Sequence, residues 1–397
     1  MPTVDALPFL DVSSAEYAVD DIAVTARLRE HSPLVRTEVG VQVLTYADCE
    51  RVLLNEQFVH GGAAVFARSL GGSATMKSKG RTLTGSEGAD HMALRRVLQP
   101  WFTPGTVAKV RDHARTLTDE RVAALGSRTS VELMSDVIGD VSSAVFASMI
   151  DVPLEEGRFL DGVSATLALG FRGDPADAPA IMGALKELRT YVEALIARRR
   201  TSPGDDLVSV MVRGVDDDLL TEADLHTLLT ELLGASTDNT TNSTGILMWM
   251  LATRPEAWQE VRADRSLVSA TVEECARIEP RVRILPMVAD QPAELCGTQL
   301  AEGTFVALDI AAAHHDPAAF AEPGRFDIHR KGPRHLGFGV GRHHCLGAAL
   351  ARVVQQAVLE SLLDHWQEVR LTAAPDVVRT YETVVHTLQI EATPAAG

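Results

Sequence analysis

The residues best suited to chemistry lie in one short run, Phe338-Gly339-Val340-Gly341-Arg342-His343-His344-Cys345-Leu346-Gly347. An amphipathic helical pattern follows it directly, so the thiol stands near a helix start, where the positive end of the dipole stabilises a thiolate. Two glycines let the backbone turn tightly and lie flat against something large. Backbone N–H groups of such a turn can point at the sulfur and tune it. Three other uses stay open on the segment alone. An isolated cysteine is most often a buried structural residue. His343, His344 and Cys345 suggest zinc, although no second pair stands at ligand spacing. A Cys–His nucleophile leaves the glycines unexplained.

Other segments place charge at useful spacings. Glu274-Cys275-Ala276-Arg277 sets a carboxylate and a guanidinium one helical turn apart, which by itself is an ordinary surface pair. Pro323-Gly324-Arg325-Phe326 follows in a stretch rich in Pro, Gly, His and Arg. In His91-Met92-Ala93-Leu94-Arg95 the two basic side chains face one way and can grip one anion, or else form an exposed helix face.

Taken in this order, the segments resemble the cytochrome P450 family over nearly the whole chain. The resemblance implies a mainly α fold: a single large domain over residues 1–397, a helical bundle with small β-sheets. Haem b, iron protoporphyrin IX, would lie buried between a long central helix and the cysteine loop. It makes Cys345 the axial thiolate and metal ligand, Phe338, Gly339 and Gly347 parts of the haem-binding loop, and His91, Arg95 and His343 partners of the propionates. It also implies that Glu274, Arg277 and Arg325 form a buried triad holding the loop, tolerable only if mutually paired.

The long central helix carries a polar middle, Gly234-Ala-Ser-Thr-Asp238-Asn239-Thr240-Thr241-Asn242-Ser-Thr-Gly245. Such residues compete for backbone hydrogen bonds, so the segment alone reads as a loop between two helices or as one helix loosened on purpose. Against the family's acid–alcohol motif, Asp238 takes the acid position and Asn239 the place of the usual alcohol; a shift of one residue gives that role to Thr240. A second departure is Met287, which stands where the family carries a propionate-binding arginine. Arg281 and Arg283 are the nearby candidates to compensate.

The resemblance implies a monooxygenase that activates dioxygen with electrons from a ferredoxin and its reductase and oxidises, typically hydroxylates, a small organic or natural-product substrate. Asn239 gives weight to atypical chemistry instead: peroxide-driven oxidation, oxidative coupling or rearrangement. The substrate pocket would draw on Leu233, Ala235, Val282, Arg283, Leu285 and Val384, with residues 60–88 as a lid. Arg95, Arg96, Arg334, Arg342 and Arg352 would present a basic face to an acidic redox partner.

The composition agrees. With 37 basic against 54 acidic residues, the net charge of −17 disfavours nucleic acid and anionic membranes as partners. No apolar run is long enough to span a bilayer, no secretory pattern opens the chain, and four cysteines in 397 residues make no disulfide framework. A monomeric cytoplasmic enzyme is expected. The elements that must position these groups are mostly helical. Ile181, Leu185, Leu188, Val192 and Leu195 mark one amphipathic helix, ending in Arg198-Arg199-Arg200 where cations suit the dipole. Thr103-Pro104 opens a helix over 104–125; Leu350 to Leu362 marks another, and Thr221 to Asp224 reads as a capping box. Thr298–Leu300 and Thr304–Leu308 read as a hairpin, with short strands near 34–44 and 378–392. Residues 314–345 show no sustained period, and a loop that long inside a compact domain is either a misassigned element or a functional one.

Overall fold

The computed structural model describes residues 3–71, 79–235 and 237–395. Its helices start where local signals say they must. Thr103 Oγ accepts the Thr106 N–H at 3.2 Å, Pro104 occupies the first turn, and the helix Pro104–Leu125 stops at Gly126. Thr221 and Asp224 close a reciprocal capping box, at 3.0 and 3.1 Å, ahead of Glu222–Ala235. The stripe from Ile181 to Leu195 is the buried face of Ala178–Thr201. Its terminal arginines do more than offset a dipole. Arg199 is buried, binds Asp206 at 2.9 Å and donates to the carbonyls of Ile150 and Asp151.

The chain forms two compact units interleaved in sequence: residues 1–65, 273–345 and 379–383, and residues 66–272, 346–378 and 384–397. The first is built on a five-stranded sheet in the order Leu34–Thr37, Gly40–Val43, Phe305–Asp309, Ile284–Ala289, Phe58–His60. Gly40–Val43 runs parallel to Phe305–Asp309 and the other pairs are antiparallel. Gly40 is required, because a side chain there would collide with the Phe305 carbonyl. Leu34, Val41, Val43, Phe58, Val306 and Leu308 form the core of this unit.

The hairpin expected at 298–308 does not form. Thr298–Leu300 turns back on Ala293–Leu295 instead. Cys296 and Gly297, at φ +51° and +76°, supply the two successive left-handed residues whose twist suits a two-residue hairpin. Phe305–Asp309 joins the large sheet. Between His314 and the helix Ala348–His365 the only regular piece is the turn Gly341–His343.

The second unit is helical, around a core that includes Leu94, Leu98, Leu160, Leu188, Leu228 and Leu233. A three-stranded sheet of Ser130–Glu132, Gln389–Pro394 and Trp366–Leu371 accompanies it. Ala348–His365 packs along Pro104–Leu125, bridged by Arg111–Glu360 and Arg115–Asp364 ion pairs. The polar segment is helical on both sides, as Glu222–Ala235 and Thr237–Ala252; Ser236 lies outside the described residues. Among the described residues no single helix is long and apolar enough to cross a membrane.

Candidate active site

In the first unit, a chain of hydrogen bonds runs from one helix to the cysteine loop. On Val268–Ile278, Glu274 and Arg277 stand one turn apart and both are buried. They pair in a two-pronged salt bridge, Nε to Oε2 at 2.7 Å and Nη2 to Oε1 at 2.8 Å. Arg277 also donates to the carbonyls of His314 and Pro323 at 2.9 and 2.8 Å. The buried His314 closes the connection. Its Nε2 accepts the Leu336 N–H at 2.7 Å, so its proton sits on Nδ1, 3.0 Å from the Arg277 carbonyl. Burial holds its pKa well below the ordinary histidine value, so the ring stays neutral. From Leu336 the loop folds by its own backbone: Gly339 N to Leu336 O at 2.8 Å, then Cys345 N to Phe338 O at 2.9 Å.

The third member of this cluster is Arg330. Its Nε lies 3.3 Å from Glu274 Oε1, which also accepts the Asp327 N–H at 2.9 Å. Arg325, expected in that place, corrects the sequence reading: its side chain is exposed and pairs with Glu322, and only its carbonyl meets Arg277. Four residues of aperiodic loop separate the two arginines, and nothing local distinguishes them. Neither Arg330 nor His314 stood out in the sequence; the one signal was the density of His and Arg in this stretch.

Cys345 is exposed, whereas Cys49 and Cys275 are buried and Cys296 is half-buried. Burial pushes the Cys49 thiol up strongly and that of Cys296 to about 12, so both remain protonated. Gly339 and Gly341 take φ +65° and +76°, which turns the loop and keeps side chains off its surface. Phe338, His343 and Gly347 are half-buried around it. Arg342 donates to the Phe58 carbonyl at 2.9 Å, tying the loop to the edge strand of the sheet.

In the second unit, His91 is buried and Arg95 half-buried on Gly88–Leu98, four residues apart. On Thr237–Ala252, Asp238 is buried and accepts from Asn242 Nδ2 at 2.8 Å; Asn242 Oδ1 in turn accepts the Val385 N–H at 2.8 Å. Asn239 turns its Nδ2 back onto the Ala235 carbonyl at 2.8 Å and leaves its buried Oδ1 without a partner. Thr240 is half-buried and its carbonyl accepts from Thr244. A further acid, unread in the sequence, faces this segment from Leu154–Ala168. Burial, and then the Asp238 charge, push the Asp161 carboxyl up to about 6. The hydroxyls of Thr237 and Thr241 pull it partly back, yet neither closes a hydrogen bond of ordinary geometry.

The cytochrome P450 family model matches residues 179–391. Cytochrome P450 107B1 of Saccharopolyspora erythraea is 30% identical over 393 residues, 95% of each chain. The mycinamicin IV hydroxylase/epoxidase of Micromonospora griseorubida is 31% identical over 376 residues, 92% of each chain. The chain belongs to the cytochrome P450 family. The crystal structure of CalO2 shares the fold, with a TM-score of 0.87 at 24% identity over 98% of this chain and 100% of that one. P450 enzymes are monooxygenases that use haem with a cysteine thiolate as axial ligand.

The residues present fit that group. In the first unit an exposed thiol rises from a loop whose glycines hold side chains away, the donor such a group needs. The candidate substrate residues divide. Val282, Leu285 and Val384 are half-buried, Ala235 is exposed, and Leu233 is packed into the apolar core. Arg283 is a correction: its buried guanidinium is taken by Asp21 and by Glu279, the latter at 2.7 Å. Arg281 is held by Glu382 at 2.9 Å and by the Thr383 carbonyl. Of the expected lid, residues 72–78 lie outside the described residues; just beyond them Arg81 binds Asp224, and Glu231 accepts the Leu83 and Thr84 N–H groups.

Proposed function

We propose that this P450 hydroxylates a small natural-product-like molecule, using electrons from a ferredoxin-type partner, with Cys345 as the axial thiolate. The observation that carries the assignment is the exposed thiol on a glycine-turned loop braced through His314 to the Glu274–Arg277 pair. Relatives named mycinamicin IV hydroxylase/epoxidase and luteothin monooxygenase support the substrate class.

Haem, when bound, supplies the activation of dioxygen and the transfer of an oxygen atom. The chain does the rest. His91, Arg95 and His343 hold the propionates, and Phe338, Gly339 and Gly347 shape the loop. Asp238 handles protons: its carboxylate is buried, hydrogen-bonded by Asn242 and close in charge to Asp161, so a proton bound here has two carboxyl groups to occupy. Asn239 differs from an alcohol in a definite way. One amide N–H is spent on Ala235, and the unpartnered Oδ1 accepts rather than donates, which suits holding a water or a substrate hydroxyl. That acceptor also favours the second reading, peroxide-driven or coupling chemistry, in which dioxygen needs no protonation. Val282, Leu285 and Val384 contribute apolar surface to the substrate.

The assignment is tested by the reduced carbon monoxide spectrum of purified protein and of Cys345→Ala. A thiolate-type band lost in the variant is expected; a band that survives overturns it. Product formation with ferredoxin, reductase and NADPH, compared with peroxide alone, separates the two chemistries. Exposed Arg96 is the sharper probe of docking, since Arg342 is tied to Phe58. Arg96→Glu raises the apparent KM for ferredoxin if the basic face is used, and unchanged kinetics reject that face.

A further inference from the structure

Glu279 follows the helix Val268–Ile278 and is buried, and the side chains of Arg283, Thr383 and Arg379 converge on its carboxylate. Arg283 Nη1 and Thr383 Oγ1 each donate to Oε1 at 2.7 Å. Arg379 spans both oxygens, with Nε 3.2 Å from Oε1 and Nη2 2.9 Å from Oε2. Burial opposes the charge, but the Arg283 and Arg379 guanidiniums and the Thr383 hydroxyl together hold the carboxyl below its ordinary value. The carboxylate is ionised and fully engaged, and displacing an arginine would strand a buried charge.

These donors join segments far apart in the chain: Glu279 and Thr383 are separated by 104 positions. The same segments also meet through their backbones. Arg283 N and Ile284 N both donate to the Tyr381 carbonyl, at 2.9 and 3.0 Å, and Thr383 N donates to Arg281 O at 2.8 Å. Val282 opposite Glu382 is an isolated bridge, so the side-chain clamp supplies what a longer ladder would otherwise hold. Half-buried Val282 sits between buried Arg281 and Arg283. That is the alternation of an extended chain, and it turns Val282 away from the carboxylate. Val384 is the residue after Thr383. The clamp thus grips the chain immediately beside two of the apolar residues assigned to the substrate.

We infer that Glu279 is a positioning residue for substrate selection: by locking Arg283 and Thr383 it fixes where Val282 and Val384 stand. The inference rests on the proposed pocket, in which those two valines meet the substrate. A displaced wall changes which ligands fit an apolar pocket. A purely stabilising role is the competing account, and three substitutions separate the two. Thr383→Val removes one uncharged donor and leaves both arginines on the carboxylate. Thr383→Ser keeps the hydroxyl, and Glu279→Gln keeps the shape but removes the charge. The probes are imidazole, which needs only the iron, and 4-phenylimidazole, which also needs room at the wall. Their dissociation constants are read from the Soret shift of the holoenzyme, with thermal denaturation alongside.

Thr383→Val and Glu279→Gln should change the ratio of the two constants about tenfold, as one misplaced methylene does in an apolar pocket. Thr383→Ser should keep the wild-type ratio. If Glu279→Gln yields no folded protein, Thr383→Val decides alone. A wild-type ratio in the clamp variants, with only the denaturation midpoint lowered, overturns the inference. A ratio altered equally in Thr383→Ser also overturns it, because the effect then lies in packing and not in the hydroxyl. Val282→Phe tests the wall separately, and should weaken 4-phenylimidazole while sparing imidazole. If it leaves both probes unchanged, the proposed pocket falls and takes the inference with it. A wild-type ratio in the clamp variants beside an altered Val282→Phe sinks the inference alone.

Discussion

The cysteine-loop brace and the polar middle of the Thr237–Ala252 helix are both buried and charged, yet they are built oppositely. In the brace each charge meets its complement: Glu274 receives Arg277, Arg330 and a backbone N–H, and His314 uses both ring nitrogens. In the helix an acid faces an acid, and the Thr237, Thr241 and Asn239 oxygens are left over. Full pairing fixes a geometry, because any rearrangement strands a buried charge. Incomplete pairing leaves places for a proton or a water to go. One region holds the ligand loop still; the other keeps hydrogen bonding in reserve.

The largest effect should come from breaking the brace. Arg277→Ala removes the two-pronged partner of Glu274 and leaves it only Arg330 and the Asp327 N–H, a loss of about 3 kcal/mol for breaking a buried pair, and should yield protein with little haem by pyridine haemochrome assay. Arg330→Ala should cost less, and Arg325→Ala almost nothing, since its partner Glu322 is at the surface. Equal losses at Arg325 and Arg330 would break the contrast. Next, Asp238→Asn should lower product formed per NADPH, with a turnover loss of the order of 10²-fold if the carboxyl moves protons; normal turnover would make the acid structural.

Acid should act on the two regions with opposite sign. His314 has a lowered pKa in the folded protein, so the stability it contributes is present above the unfolded histidine value and is lost as pH falls through the folded one. Asp161 is raised to about 6, so its contribution is full below the unfolded carboxyl value of 3.8 and is lost as pH rises through about 6. Denaturation midpoints followed from pH 4 to pH 7 should accordingly lose a falling component in Asp161→Asn and an acid-labile one in His314→Gln. The smallest effect is expected at Asn239→Thr, a change of a few-fold in peroxide leakage, which reports whether the amide acceptor is used.

Short-range spacing carried most of what could be read directly. A capping box, a proline in a first turn and an i,i+3 pair are each complete within four residues, so Thr221–Asp224, Thr103–Pro104 and Glu274–Arg277 were legible. Legibility failed where the partner is distant or the loop has no period. Arg283 meets Asp21 across 262 positions. Arg330 and Arg325 are equivalent on paper until the loop is folded. The strand after Gly303 has the composition of a hairpin partner, but left-handed residues at Cys296 and Gly297 close the turn earlier.

By itself the sequence determined the family, the helical character and the acid of the central helix, and it singled out Cys345 as the proposed thiolate, because each is written in residue types at local spacing. Only the tertiary structure decided which arginine completes the brace, that His314 carries it to the loop, and that Asp161 comes within reach of the Asp238 charge. Those are matters of which segments meet, and pairing between distant segments depends on the packing of the whole chain rather than on any one stretch of it.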